Sequence, residues 1–210
     1  MNRLILVRHG RAAGAEPGVM HGWTDHPLDD LGRAQAVAAG RALAGRGPID
    51  HLVSSPLPRT VETAELVAGA TGLRPMFDDD LRELHLGDLS GGTEDVLWAY
   101  VADQVVERLA HPDAAPDRPD WLVSGIDFPG GETAAAFVAR VERALERLDA
   151  LEGTVVAVSH GVWIMAAVGI LLGTDLLSWP QYRSDNATLT EVVLGPPAEL
   201  VTLNQVPALG

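Results

Sequence analysis

Two histidines, each followed by a glycine, stand at the ends of two apolar runs that lie far apart in the sequence. Residues 4–7 lead into Arg8-His9-Gly10, and residues 155–158 lead into Ser159-His160-Gly161. Short apolar runs of this kind are typical of buried strands, and open α/β sheets bind ligands at the edge where such strands end. We therefore expect both imidazoles to meet at one edge of a parallel sheet.

The residue types of the first motif indicate an anionic ligand and phosphoryl transfer. The planar guanidinium of Arg8 can hold two phosphate oxygens, and a ring nitrogen of His9 can attack phosphorus to form a covalent phosphohistidine. Gly10 lets the backbone and the amides that follow it approach the anion. His160 could donate to a non-bridging oxygen. The alternative is an exposed Arg-His pair together with a second histidine buried in the core.

Two further segments carry a candidate cation and a candidate acid. Arg59 stands in the first turn of a helix that a proline initiates, where a cation is unfavourable unless an anion lies against it. Glu83 falls in a loop between apolar residues, where partial burial would favour a protonated carboxyl able to act as a general acid. Asp88 is the competing carboxylate. Taken singly, each of these charges could equally belong to the solvated surface.

Together these segments resemble the histidine phosphatase superfamily, which contains cofactor-dependent phosphoglycerate mutases and many small-molecule phosphatases. The resemblance covers most of the chain, and its motifs occur in the order of the family. The matching segments are 6–10, 22–25, 54–64, 81–87, 130–133, 158–161 and 186–191. One Arg-His-Gly motif alone would be weak, whereas the ordered series is specific.

The resemblance implies a role for each matching residue. It makes His9 the nucleophile and Glu83 the proton donor to the leaving alcohol. Arg8 and Arg59 become phosphate clamps, and His160 becomes a catalytic phosphate contact. The family needs no metal, and the seven histidines show no close pairing with carboxylates at metal-ligand spacing. No cofactor is expected for this chain. The remaining predicted phosphate-binding residues are Gly10, Arg11, His21, Gly22 and Gly161.

Several positions depart from the usual family pattern. Arg11 and Ala12 replace a Glu or Gln followed by a Thr or Ser, Ala15 replaces a frequent Asn, and His21 replaces a Gln. Val162 replaces a second glycine. Two hypotheses follow. Either Arg11 substitutes a charged contact for the lost polar ones and the phosphatase is active, or the pocket is degraded into a weak enzyme or a phosphate-binding module.

Composition limits the partners and the cellular location that we expect. The chain has 210 residues, no cysteine and a formal net charge of −14. This charge argues against nucleic acid and anionic membranes as partners, because both attract surplus Lys and Arg. No apolar stretch is long enough to span a bilayer, and no secretory leader is recognised, so a cytoplasmic location is expected. The expected partner is a small-molecule phosphomonoester, and a homodimer remains an open option.

Strand and helix patterns alternate along the chain. They predict strands at 2–8, 49–53, 74–77, 154–158, 188–194 and 199–203, and helices near 29–43, 57–71, 94–109, 132–151 and 161–172. This order predicts an α/β three-layer sandwich with a mainly parallel central sheet flanked by helices. We expect one domain over 1–210, with 93–131 as a cap insertion over the active edge.

The predicted insertion bears on the substrate. It is rich in Asp and Glu and contains two arginines, Arg108 and Arg118. A mutase must hold a second anionic group, which calls for more cations than this. Its aromatic residues could form an apolar lid or pack a small core of their own; they are Trp98, Tyr100, Trp121 and Phe128. The composition favours a phosphomonoester with an uncharged or apolar leaving group over phosphoglycerate-mutase chemistry.

Overall fold

The computed structural model describes residues 2–14, 16, 18–110, 126–174 and 176–209. Six strands form one sheet: β1 (Arg3–Arg8), β2 (His51–Ser54), β3 (Pro75–Phe77), β4 (Thr154–Ser159), β5 (Leu189–Val193) and β6 (Glu199–Gln205). The helices are α1 (Asp30–Ala44), α2 (Pro58–Thr71), α3 (Glu94–Leu109), α4 (Ala134–Asp149) and α5 (Gly161–Leu171). Short 3₁₀ helices cover Asp79–Leu81, Gly87–Leu89 and Leu176–Tyr182. Each predicted strand and helix is present, with boundaries shifted by a few residues.

The sheet order is β3-β2-β4-β1-β5-β6. The four strands from β3 to β1 run parallel, and β5 and β6 add an antiparallel edge. Strands β1 and β4 are neighbours in register, with Arg8 opposite Ser159. The two histidine motifs therefore leave adjacent parallel strands at the same edge. The predicted α/β class with a mainly parallel sheet is confirmed.

Local sequence explains where the first two helices begin. The sequence offered Asp29 and Asp30 as caps for α1, and the structure shows Asp29, whose side chain accepts the N–H of Gly32 at 2.7 Å. This hydrogen bond from the Gly32 backbone makes the largest contribution to lowering the pKa of Asp29. Pro58 occupies the first turn of α2, where its missing N–H costs no hydrogen bond. The helix ends at Gly72, whose φ of 75° suits a left-handed cap.

The core fills the space between the sheet and its helices. Alternation along β1 sends Ile5 and Val7 to the face that α1 and α2 cover, through Leu43 and Val67 among others. Leu4 and Leu6 are fully buried on the opposite face. Helix α5 is apolar on all sides, is buried along most of its length and contacts β1. The core thus fixes the ends of β1 and β4.

The chain divides into two compact units. The first comprises 1–14, 25–83 and 140–210 and contains the sheet, and the second comprises 15–24 and 84–139. Residues 93–110 and 126–131 of the predicted insertion belong to the second unit, whereas 111–125, with Trp121 and Arg118, lie outside the described residues. The single domain and its cap therefore stay predictions. In the described part of the chain, no helix is long and apolar enough to cross a membrane.

Within the second unit, some of the aromatic residues pack together. The Tyr100 and Phe128 rings lie 6.2 Å apart, Phe128 is buried, and the Tyr100 hydroxyl donates to the Asp127 carbonyl at 2.8 Å. Trp98 is partly exposed, and its indole N–H donates to Glu94. Of the two interpretations, an apolar lid or a small core, these contacts favour a small core for Tyr100 and Phe128.

Candidate active site

His9 follows β1 and is almost completely buried. Its Nδ1 lies 2.8 Å from the Gly10 carbonyl oxygen, and its Nε2 lies 3.3 Å from Nε of Arg59. Because a carbonyl can only accept, Nδ1 carries the proton, and the Nε2 lone pair faces the guanidinium. In this tautomer, Nε2 carries the lone pair of the ring, and the predicted role of His9 as nucleophile stays a prediction.

Arg59 lies in the first turn of α2 and is 2% exposed. Burial lowers its pKa to about 10, the Glu83 carboxylate opposes that shift, and the Arg8 charge adds to it. The guanidinium remains a cation at neutral pH. The Arg8 charge and the positive end of α2 add to the cost of burying this guanidinium, so an anion bound beside it would be stabilising. The arrangement is therefore complementary to a phosphate group.

Arg8 reaches the same region from the end of β1. Its Nη1 donates to the Ser184 carbonyl oxygen. A Cβ atom placed on Gly161 would lie 3.3 Å from Cζ of Arg8, which is tighter than an ordinary contact. Glycine at position 161 thus leaves room for the guanidinium beside the start of α5.

His160 comes between β4 and α5 and is fully buried. Its ring centroid lies 5.2 Å from that of His9, so the structure brings together the two imidazoles, as the sequence predicted. Burial holds the pKa of His160 well below its ordinary value, and electrostatic interactions with Arg59, His9, Arg140 and Arg8 act in the same direction. His160 is therefore neutral, with one N–H to donate.

Glu83 is buried beside the N-terminus of α5. One carboxylate oxygen accepts the N–H of Val162 at 3.2 Å, and the other accepts that of Trp163 at 3.1 Å. Asp88, the competing carboxylate, is exposed. Of the two candidates, Glu83 is the buried one, and its role as the acid stays a prediction.

The loop that carries Glu83 is held by side chains that the sequence did not single out for this purpose. Arg140 of α4 is buried and donates to the carbonyl oxygens of Asp80, Arg82 and Glu83 at 3.0, 2.6 and 2.6 Å. The sequence did contain an indication that Arg140 is buried, because Arg140 adjoins buried Val141 on the apolar face of α4. A charged residue on such a face requires buried partners.

Asn186 also escaped sequence analysis as a site residue, although its motif was noted. Its side-chain amide donates to the His9 carbonyl oxygen at 3.1 Å. The next amide, of Ala187, donates to the Arg8 carbonyl oxygen at 3.0 Å. These contacts hold the backbone that presents Arg8 and His9.

Gly10 and Arg11 each contact another residue of the protein. The Gly10 N–H donates to Thr63 Oγ1 at 3.1 Å, and a Cβ on Gly10 would lie 2.3 Å from the Gly32 carbonyl oxygen. Glycine is thus required there by the close approach of α1. Arg11 is half-exposed and pairs with Asp29 at 2.5 Å. Phosphate contacts of Gly10 and Arg11 stay predictions.

His21 and Gly22 belong to the second unit. The His21 carbonyl oxygen accepts the N–H of Thr24, and Gly22 has a φ of 52° that favours glycine. Their predicted phosphate contacts stay predictions, and Ala15 lies outside the described residues. In the described part of the chain, no three His, Asp or Glu side chains are grouped as metal ligands would be.

Comparison with known proteins agrees with this geometry. A family model described as histidine phosphatase superfamily (branch 1) matches residues 4–205. A glucosyl-3-phosphoglycerate phosphatase of Mycobacterium tuberculosis is 35% identical over 192 residues, which are 90% of this chain and 84% of that protein. Phosphoserine phosphatase 1 of Hydrogenobacter thermophilus is 33% identical over 196 residues, covering 91% of this chain and 86% of its own.

A solved structure extends the likeness to the fold. The mycobacterial glucosyl-3-phosphoglycerate phosphatase in complex with VO3 superposes with a TM-score of 0.76 at 31% identity. The match covers 98% of this chain and 100% of the other.

Proposed function

Because the chain belongs to the histidine phosphatase superfamily and is a phosphomonoesterase, we propose that His9 carries its reaction as a covalent phosphohistidine. The observation that supports this most directly is the cluster of Arg59, His9 and His160. Nε2 of His9 lies 3.3 Å from a buried guanidinium, and the second imidazole is 5.2 Å away, centroid to centroid. One phosphate group is small enough to touch all three side chains.

In the first step, the Nε2 lone pair of His9 attacks phosphorus and the P–O bond of the ester breaks. The guanidinium groups of Arg59 and Arg8 offset the charge on the phosphoryl oxygens. The leaving oxygen takes its proton from the Glu83 carboxyl. Each Glu83 oxygen accepts one backbone N–H, and a second lone pair on either oxygen can carry that proton.

In the second step, water attacks the phosphohistidine and the P–N bond breaks. Glu83, now a carboxylate, accepts the proton of the attacking water, and inorganic phosphate leaves. His9 returns to the neutral form with its proton on Nδ1, where the Gly10 carbonyl oxygen holds it. The cycle is balanced, because one water is consumed and one alcohol and one phosphate are formed.

The leaving group is a finer proposal. The acidic composition of 93–131 supports an uncharged or apolar alcohol, whereas the glucosyl-3-phosphoglycerate named for the mycobacterial relatives carries a carboxylate. Phosphoryl transfer of the phosphoglycerate-mutase type and a weakly active phosphate-binding module are the alternatives. Hydrolysis rates on matched phosphate esters with and without a carboxylate on the alcohol separate these cases, as does a mutase assay with phosphoglycerate.

The proposed setting is the cytoplasm, and the proposed partners are small phosphate esters rather than nucleic acid. Support comes from the lack of cysteine and the net charge of −14, since phosphate-rich polymers favour basic surfaces. A homodimer remains open. Gel filtration with light scattering determines the oligomeric state directly.

His9→Ala tests the assigned nucleophile. We expect the release of phosphate from an aryl phosphate to fall by at least about 10³-fold, because the covalent route is lost. Acid-quenched native enzyme should contain an acid-labile phosphoryl group that His9→Ala lacks. His51→Gln, at the start of β2, is the matched control and should keep both properties. Unchanged turnover by His9→Ala would refute the mechanism.

If the chain is instead a phosphate-binding module, the expected results are the opposite of those for an active enzyme. Native protein would show no turnover but would bind phosphate or vanadate, and Arg59→Ala would remove that binding.

A further inference from the structure

Ser55 is a fully buried residue that the mechanism above does not use. It follows β2, and its hydroxyl oxygen lies 2.9 Å from Nε2 of His160. The same oxygen accepts the Leu57 N–H at 3.4 Å. The other ring nitrogen, Nδ1 of His160, is buried and has no hydrogen-bond partner in the described part of the chain. One imidazole nitrogen is therefore held by Ser55, and the second has no hydrogen-bond partner among the described residues.

The direction of the Ser55–His160 hydrogen bond follows from counting donors and acceptors. Within the residues that the structure describes, the Ser55 hydroxyl has one contact able to accept its hydrogen, which is Nε2 of His160. If Nε2–H donated instead, a buried hydroxyl hydrogen would remain unsatisfied, which costs free energy. The favourable arrangement has Ser55 donating to Nε2, so the neutral ring carries its proton on Nδ1.

Resting on the proposed function, we propose that Ser55 is a positioning residue that fixes the Nδ1–H tautomer of His160 and thereby aims an N–H at the phosphoryl group. The opposite tautomer would present a lone pair to an anionic oxygen and repel it. Burial keeps the imidazole neutral, so the tautomer alone decides whether His160 donates or repels. A histidine without a fixed tautomer would contribute less to binding the substrate and the transition state.

The tautomer can be observed directly by NMR. In native protein, ¹⁵N spectra should show His160 with a protonated Nδ1 and an unprotonated Nε2. Ser55→Ala should remove the preference, and Ser55→Thr, which keeps a hydroxyl, should restore it. Ser54→Ala removes a neighbouring buried hydroxyl that donates to two backbone carbonyls, and it should leave the tautomer unchanged. A protonated Nε2 in native protein would overturn the proposal.

Vanadate binding supplies a second readout that does not require turnover. We expect Ser55→Ala to weaken vanadate binding about tenfold, in keeping with the weakening of one hydrogen bond to a charged group. The same change in a His160→Asn background should have almost no effect, because an asparagine amide has no tautomer to fix. Equal losses in both backgrounds would show that Ser55 acts on folding alone and would overturn the proposal.

These measurements separate the two proposals. If the chain proved to be a binding module without turnover, the tautomer of His160 and the affinity for vanadate could still be measured, because neither measurement requires catalysis. If Ser55→Ala left the tautomer and vanadate affinity unchanged in an active enzyme, the role of Ser55 would be wrong while the function of His9 remained.

Discussion

At the scale of single residues, the backbone at the start of α5 fixes the position of the Glu83 carboxylate. Backbone N–H groups at the start of α5 fix both of its oxygens, and its charge interacts with that of Arg59. In the proposed mechanism, Glu83 donates a proton to the leaving oxygen in the first step and accepts one from water in the second.

Glu83→Gln tests this role through the leaving group. The amide keeps the size of the side chain but cannot donate an acidic proton. We expect hydrolysis of alkyl phosphates, whose leaving oxygen requires protonation, to slow by about 10²-fold or more. Activated aryl phosphates should be far less affected. The measurement is kcat for a series of esters with increasing leaving-group acidity.

Asp88→Asn is the matched control for this series, since Asp88 is the exposed carboxylate of the same segment. It should leave the dependence on the leaving group as in native protein. If Glu83→Gln slowed alkyl and aryl esters by the same factor, proton donation by Glu83 would be ruled out.

At the scale of elements, the acid loop depends on the elements packed around it. Arg140 of α4 satisfies three of its carbonyl groups, Ser159 at the end of β4 donates to Leu81 O at 2.7 Å, and the Trp163 indole donates to Asp80 O at 2.7 Å. Four successive carbonyl groups are therefore paired with side chains. Without such partners, a buried loop of this kind would be unfavourable.

Replacing Arg140 should affect stability and catalysis together. Arg140→Met keeps much of the side-chain length but leaves buried carbonyls unpaired, at a cost of about 1–3 kcal/mol each. We expect the free energy of unfolding in urea to fall by about 3 kcal/mol or more. In the folded fraction of Arg140→Met, the fold-decrease in kcat for alkyl phosphates should exceed the fold-increase in KM.

Arg143→Met provides the comparison, because Arg143 lies on the same helix but is exposed and pairs with Asp80 at 3.0 Å. An exposed ion pair contributes less than about 1 kcal/mol, so stability should change little. Similar losses for the two variants would mean that the contacts of Arg140 with the loop are not what stabilises it.

The strands and helices could be predicted from the sequence because their signals are local. The apolar run before His9, Asp29 as a cap and Pro58 at the start of α2 each act within a few residues. The convergence of His9 and His160 followed from strand order. The contacts of Arg140 could not be predicted in the same way, since they join residues about 60 positions apart. Their geometry exists only after the sheet and helices have packed.

Arg11 is a residue for which the structure shows a protein partner that the sequence did not predict. Its position two residues after His9 favoured a phosphate contact. The capping of α1 places Asp29 within reach, and the two charges pair at 2.5 Å. The spacing after His9 predicts a phosphate contact for Arg11, whereas its ion pair with Asp29 depends on where α1 begins.

At the scale of the whole molecule, an acidic protein concentrates a small positive region at one edge of its sheet. The net charge is −14, yet the positive charge of Arg8 helps to lower the pKa of Arg59, and the charges of both arginines help to lower the pKa of His160. Burial strengthens their attraction for an anion that reaches them. Phosphate binding should therefore depend on these few residues rather than on the field of the surface.

Burial of neutral His160 also makes the stability of the fold depend on pH. Its pKa in the folded protein lies well below that of the unfolded chain, so between these values the unfolded chain binds a proton that the folded protein does not. The free energy of unfolding should therefore be fully retained above about pH 7 and fall as the pH decreases below about 6.5. For one group, the slope reaches at most about 1.4 kcal/mol per pH unit.

Urea unfolding of native protein and of His160→Asn from pH 8 to 5 isolates this contribution. The other six histidines and the carboxylates titrate in both proteins, so the difference between the two curves belongs to position 160. That difference should be constant above about pH 7 and should shrink as the pH falls, because native protein alone loses the contribution of His160. Curves that stayed parallel down to pH 5 would contradict a neutral, buried His160, and with it the need for Ser55 to set its tautomer.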